Sequence, residues 1–177
     1  SYILEDSGST VLIVSSNHSK VVNSSKASVL CQCIVWEGDR TAQGEQHYSF
    51  AEALNTEFTV EHADAVLEDT AVIIYTSGTT GKPKGAMLSH KNIFSNGQSG
   101  MMHIRVTPKD RGIVFLPMFH SFTFTVATML PLYVGMSIVI IQSIQPFSNI
   151  FKQTLLKRVT LFFGIPDVYN ACLLYTS

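Results

Sequence analysis

Charged residues are missing from a long part of the chain: between Arg111 and Lys152 there is no Asp, Glu, Lys or Arg. Inside that span FTFTVATMLPLYVGMSIVII, residues 122–141, matches the roughly 20 apolar residues that cross a bilayer as a helix. Pro131, Gly135 and the β-rich run MSIVII interrupt it, so the stretch reads as a short helix, a turn and a strand. A buried strand–helix–strand layer is this apolar without any lipid, and no transmembrane span is expected. Cysteine is also scarce. Cys31, Cys33 and Cys172 are an odd number without a disulfide-framework spacing, which argues against a disulfide-stapled fold and makes the reducing cytoplasm the expected compartment. Neither sign of charge dominates, with 12 Lys and Arg against 13 Asp and Glu. No nucleic-acid partner is expected, and contact with a membrane would be peripheral. The first residues lack the basic start and long apolar core of a signal peptide. No internal repeat is present.

What remains is an ordinary globular composition, 46% hydrophobic over 177 residues, enough for one domain or a piece of a larger protein. There is no initiator Met, SYILEDSG reads as the closing turns of a helix ending at Gly8, and ACLLYTS stops in mid-pattern; the expectation is a fragment. TVLIVS (10–15) reads as a strand and NHSKVVNSSKA as a helix. VLCQCIVW reads as a second strand, with Cys31 and Cys33 on one face as small apolar residues; a metal site would need further ligands nearby. YSFAEALNTE follows as a helix with a capping box of Ser49 and Glu52, and residues 56–70 as a polar connector. AVIIYTS is a buried strand, and a helix capped by Ser89 starts near His90. RGIVFLP is a strand, PMFHS a turn and FTFTVATMLPLYV a helix. MSIVIIQ, FSNIFKQTLLKR, VTLFFG and PDVYNACLL continue as strand, amphipathic helix, strand and helix. This alternation implies an α/β fold, a largely parallel sheet with flanking helices. Residues 1–66 are expected to form an upstream α/β portion and 67–177 the rest of one incomplete domain.

The segment with the most chemistry is YTSGTTGKPKG, Tyr75–Gly85. It follows an apolar strand, at the end where open α/β sheets bind ligands. Gly78, Gly81 and Gly85 admit positive φ and close approach of a ligand to the main chain. Successive N–H groups in such a turn converge into an anion-binding concavity. Thr76, Ser77, Thr79 and Thr80 add hydroxyl donors, and Lys82 and Lys84 add positive charge. Polyphosphate is the ligand that uses all of these together. Pro83 fixes one dihedral between the lysines, so they point different ways. A bland Ser/Thr/Gly linker is the alternative, but a linker seldom follows a buried strand directly and gains nothing from Lys-Pro-Lys. A Walker A loop is excluded: Gly78 and Gly81 are only three apart, and Lys82 is followed by Pro83.

YTSGTTGKPKG resembles the phosphate-binding signature of the adenylate-forming (AMP-binding) superfamily through every one of its positions. LSHKNI, LPMFHSF, the glycine before MSIVII, GIPDVY and the opening SYILEDSGSTVLIV resemble the family's surrounding segments, so the likeness covers nearly the whole chain as an internal piece of the N-terminal domain. The resemblance implies a two-step reaction. A carboxylate attacks the α-phosphate of Mg-ATP to give an acyl-adenylate and pyrophosphate, and a thiol then takes the acyl group. It also implies that Thr76, Ser77, Gly78, Thr79, Thr80, Gly81, Lys82, Lys84 and Gly85 hold the β- and γ-phosphates. Lys84 would be a catalytic charge partner, and Thr76 the hydroxyl near Mg²⁺. Preorganised donors aimed at a leaving pyrophosphate are consistent with that chemistry.

Members of the family that adenylate amino acids carry an Asp near LPMFHSF to pair with the substrate's amine. Here Phe119, His120, Ser121 and Phe122 offer no carboxylate, and an unpaired ammonium in an apolar site is costly. The expected substrate is a carboxylic acid other than an amino acid. Carried over from acyl and aryl members, His120 would stand beside the substrate carboxylate and the α-phosphate. The segment most resembles bacterial medium- and long-chain fatty acyl-CoA or acyl-carrier-protein synthetases, which implies a fatty acid and CoA or acyl carrier protein; aryl acids stay open. FTFTVATML reads equally as pocket lining and as core. His18, His47, His62 and His103 read as solvated, and His90 as structural. The family's Mg²⁺- and adenine-site acidic motif, ribose-binding Asp, hinge and C-terminal lysine would lie beyond residue 177. The 177 residues alone are therefore not expected to complete adenylation. A truncated, non-catalytic nucleotide-binding module is the alternative of another class.

Overall fold

The computed structural model describes residues 2–38, 46–55, 63–77 and 81–176. The chain divides into two units, one of residues 1–64 with 75–85, the other of residues 65–74 with 86–177.

The first unit opens with helix α1 (Tyr2–Ser7), followed by Gly8. Strand β1 (Val11–Ser15) then leads through a 3₁₀ turn into two short helices, α2 (Ser19–Asn23) and α3 (Ala27–Leu30). Strands β2 (Cys33–Glu37) and β3 (His47–Ser49) complete a parallel sheet of order β1-β2-β3, with Val11 beside Cys33 and Ile34 beside His47. The core gathers Val22, Ala27, Cys31, Ile34 and Trp36, with Leu4, Leu12 and Val14 packed on it. The second strand is shorter than VLCQCIVW: Val29 and Leu30 end a helix, and Cys31 precedes the strand. The two cysteines therefore do not share a strand face. Cys31 is buried and its thiol donates to the Ser9 carbonyl at 3.7 Å, while Cys33 is half-buried at the start of β2. His47 is likewise not a solvated histidine. Its ring stacks on buried Trp36 and its Nδ1 accepts from the indole Nε1 at 2.9 Å, which places the imidazole proton on Nε2. His62 lies outside the described residues.

Helix α4 (Phe50–Asn55) starts with the expected box: the Glu52 N–H donates to Ser49 Oγ at 3.1 Å and the Ser49 N–H to Glu52 Oε2 at 2.7 Å. These bonds hold the Glu52 carboxyl below its ordinary range, the Ser49 N–H contributing most. The short strand β3 ahead of it was not legible, since three residues carry too little pattern.

Strands β4 (Thr70–Thr76) and β5 (Lys84–Ser89) form a two-stranded sheet. A connection this short cannot make the crossover that parallel neighbours need, so the pair is antiparallel. The strand before the glycine-rich segment is thus one arm of a hairpin, and it is half-buried, with Ile74 its buried member.

In the second unit α5 (His90–Ile104) starts at Ser89, whose Oγ accepts from the Asn92 N–H at 3.2 Å while Asn92 Oδ1 accepts from the Ser89 N–H at 3.0 Å. Asn92 plays the part that Glu plays in the usual capping box. Strands β6 (Arg111–Val114), β7 (Ser137–Ile140) and β8 (Leu161–Phe162) make a parallel sheet of order β7-β6-β8. The uncharged stretch is a π-helical segment (Thr123–Met129) running into α6 (Leu130–Val134). The Leu130 N–H reaches the Thr125 carbonyl, five residues back. Pro131 does not interrupt the helix; it sits at its π-to-α junction, where its missing N–H falls among bonds already rearranged. Gly135, at φ +82°, stops the helix, a conformation that other residues rarely adopt. Among the described residues no helix is long and apolar enough to cross a membrane. Helices α7 (Phe147–Leu156) and α8 (Pro166–Thr176) pack Ile150 and Val168 into a core with Ile113, Phe115 and Ile141.

Asp110 ties β6 to β8. Its carboxylate accepts from the Thr107 N–H at 2.8 Å and from the hydroxyls of Thr107 at 2.9 Å and Thr160 at 2.8 Å. These bonds, the Thr107 N–H first, hold the carboxyl below its ordinary range.

The capping box is the junction between the glycine-rich hairpin and its following helix. Ser89→Ala should lower stability by about 1 kcal/mol, measured by urea unfolding; an unchanged midpoint would mean that the box contributes nothing net.

Candidate functional site

The hairpin presents the chemistry at its tip. β4 ends at Thr76 and β5 begins at Lys84, so both arms of the sheet fix the stems of the glycine-rich loop. Thr76, Ser77, Gly81, Lys82 and Lys84 are exposed, and Gly85 is half-buried. Gly78, Thr79 and Thr80 lie outside the described residues. Gly81 has φ +86°, and a Cβ there would meet nothing within 4 Å. Backbone conformation, and not crowding, is what calls for glycine at that position.

Among the described residues no carboxylate pairs with either lysine of the segment. The ion pairs among the described residues are Lys26–Glu5 at 3.6 Å and Lys91–Glu68 at 3.5 Å; neither involves Lys82 or Lys84. Lys82 Nζ stands 5.6 Å from the centroid of the Tyr2 ring, within cation–π reach. Lys84, first residue of β5, forms no ion pair with a described carboxylate. Among the described residues no group of three His, Cys, Asp or Glu side chains could hold a metal ion. The Thr76 hydroxyl, the expected Mg²⁺ ligand, is exposed at the end of β4.

Two residues of α1 join this segment without any warning from the motif. Tyr75 Oη donates to Asp6 Oδ2 at 2.7 Å, and Tyr2 Oη donates to Asp6 Oδ1 at 3.5 Å. The first bond links positions 69 apart in sequence.

His120 belongs to the second unit. It sits on the turn Pro117–Ser121, where its N–H donates to the Pro117 carbonyl at 3.1 Å and its own carbonyl accepts from the Phe124 N–H at 2.8 Å. The side chain is exposed, between Phe119, which is 79% exposed, and Phe122. Beyond the turn the uncharged segment serves both expected roles. Thr123, Ala127, Thr128 and Leu130 are buried. Phe124, Met129, Leu132 and Tyr133 face an apolar groove of about 440 Å³, closed on its other side by Ile93 and Phe94 of α5.

A profile of the AMP-binding enzyme family matches residues 1–177. The chain belongs to that family. A feruloyl-CoA synthase from an Amycolatopsis species is 28% identical over 170 residues, which is 96% of this chain and 31% of that protein. The solved structure of the anthranilate CoA ligase AuaEII in complex with anthranoyl-AMP agrees with a TM-score of 0.84 at 28% identity, over 97% of this chain and 34% of that one. ATP-bound MatB from Rhodopseudomonas palustris agrees with a TM-score of 0.75 at 25% identity, over 96% and 32%. The chain spans about a third of the length of these proteins.

In this member of the family the Tyr75 phenol is pushed up to about 12, first by its bond to Asp6 and then by desolvation. The bond's contribution to stability is whole below the ordinary tyrosine value of 10.0 and is lost as pH rises through about 12. Alkaline titration followed by phenolate absorbance should show Tyr75 as a late-titrating member of the six tyrosines. Asp6→Asn should return it toward the ordinary value; a late step that persists in the variant would contradict the bond.

Proposed function

We propose that the complete protein is an ATP-dependent acid–thiol ligase. Its carboxylic acid substrate attacks the α-phosphate of Mg-ATP, pyrophosphate leaves, and the acyl group of the acyl-adenylate passes to the thiol of CoA or of an acyl carrier protein as AMP departs. The observation that carries this reading is the exposed hairpin tip, with a left-handed Gly81 and two lysines that no described carboxylate neutralises. Such a tip suits a ligand with several negative oxygens. The names of the related proteins, a feruloyl-CoA synthase and an anthranilate CoA ligase with its acyl-AMP, support the same reaction class.

Charge accumulates on the bridging and terminal oxygens of the departing pyrophosphate. Donors of the Thr76–Gly85 segment would stabilise that charge more than they stabilise bound ATP, and Lys84 would add a full positive charge to it. Thr76 would give Mg²⁺ one hydroxyl oxygen. When bound, the ion would supply positive charge that screens the phosphates. His120 would lie beside the carboxylate and the α-phosphate, where its exposed ring can donate a hydrogen bond to a phosphoryl oxygen. The reaction belongs in the cytoplasm, where ATP and CoA are both available.

The acid we propose is a fatty acid. The turn that carries His120 has no carboxylate for an ammonium, and the Phe124 it bonds lines an apolar groove. An aryl acid is the second reading, favoured by the aromatic acids in the names of the two related ligases.

Pyrophosphate release by the complete ligase should be measured with Mg-ATP and a panel of fatty, aryl and amino acids. Release with fatty acids supports the first reading, and release with aryl acids alone supports the second. A response restricted to amino acids would overturn both. Lys84→Ala should slow release about a hundredfold or more at saturating substrates; unchanged turnover would remove Lys84 from the mechanism.

A further inference from the structure

Both stems of the phosphate loop rest on one face of α1. Tyr2 and Asp6 are four residues apart on that helix, so their side chains lie one above the other. On the entry side Tyr75 Oη donates to Asp6 Oδ2 at 2.7 Å, one residue before Thr76. On the exit side the Lys82 ammonium stands 5.6 Å from the centroid of the Tyr2 ring, one residue after Gly81. Tyr2 and Asp6 are themselves joined, Tyr2 Oη donating to Asp6 Oδ1 at 3.5 Å. Tyr2, Ile3 and Leu4 of α1 further share a hollow with Lys82 and Pro83.

We infer that Tyr2 and Asp6 of α1 are positioning residues for the phosphate loop, holding its stems at Tyr75 and Lys82 at a fixed separation. The inference rests on the proposed reading of the loop as a triphosphate site. A loop rich in glycine has many conformations to lose when it closes on a ligand, and stems fixed beforehand reduce that loss. The Asp6 carboxylate also sets a rule for the entry side: it accepts from the Tyr75 hydroxyl, so its charge is directed to the phenol. On the exit side, Tyr2 holds the Lys82 ammonium through its ring face without neutralising it.

Asp6→Asn and Tyr75→Phe each weaken the entry-side bond while keeping the size of the side chain. In the complete ligase each should raise the KM for Mg-ATP about tenfold, the scale of one hydrogen bond to a charged group, with kcat little changed. A residue that only stabilises the fold would instead lower the active fraction, and with it the apparent kcat, at constant KM. Hydrogen exchange gives a readout without turnover: residues 75–85 should exchange faster in both variants while the β1-β2-β3 sheet stays as in the unmodified protein. An unchanged KM overturns the inference, and so does exchange that rises throughout the first unit or nowhere. Should the unmodified ligase release no pyrophosphate with any acid, the proposed function fails by itself, and exchange alone then decides whether α1 fixes the loop.

Discussion

A turn that is to receive a polyphosphate, as we propose for the tip of the β4–β5 hairpin, must keep its positive charges out of internal ion pairs, and the described residues of the first unit meet that constraint. Lys26 and Glu5 pair at 3.6 Å on the same unit, so a carboxylate of α1 is within reach of a lysine there. The other acid of that helix turn, Asp6, is committed to Tyr75 instead. Lys82 finds an aromatic face and Lys84 no described carboxylate. An aromatic face restrains an ammonium while leaving its charge intact, whereas a carboxylate would cancel it. The loop can therefore be held and still remain cationic.

The hairpin supports this by geometry. β4 ends at Thr76 and β5 starts at Lys84, so both residues stand on ordered backbone, with Gly81 at φ +86° between them. On the far side β5 passes directly into α5 through a capping box that satisfies the helix's first free N–H groups. In the second unit the same economy of connection appears around His120. Its turn follows strand β6, and its carbonyl accepts from the Phe124 N–H in an α-type turn that leads into the π-helical segment. A wide helical turn lets Pro131 lie inside the helix and turns Phe124 and Met129 toward the apolar groove.

Local chemistry was legible in the sequence and long-range pairing was not. The Ser49–Glu52 box, the Ser89 cap, the helix stop at Gly135 and the alternation that gives parallel sheets all depend on residues within a turn of one another. The family likeness was legible for the same reason, because the residues of the YTSGTTGKPKG signature are contiguous. The start of β2 was misread: Val29 and Leu30 suit a strand by propensity, but tertiary context extends the helix through them and buries Cys31 against Ser9. Trp36 turns His47 from a surface histidine into a packed acceptor across ten intervening residues. Asp6 and Tyr2 carried no motif at all. Their connection to the loop exists only once the first unit has folded.

The central claim is that residues 76–85 grip the triphosphate of ATP. A crystal structure of the complete ligase with Mg²⁺ and a non-hydrolysable ATP analogue tests it most directly. The account predicts β- and γ-phosphate oxygens within hydrogen-bond distance of the loop's amides and hydroxyls, with the Lys84 ammonium against them. Phosphates bound elsewhere, with the loop's donors turned to protein acceptors, would contradict it.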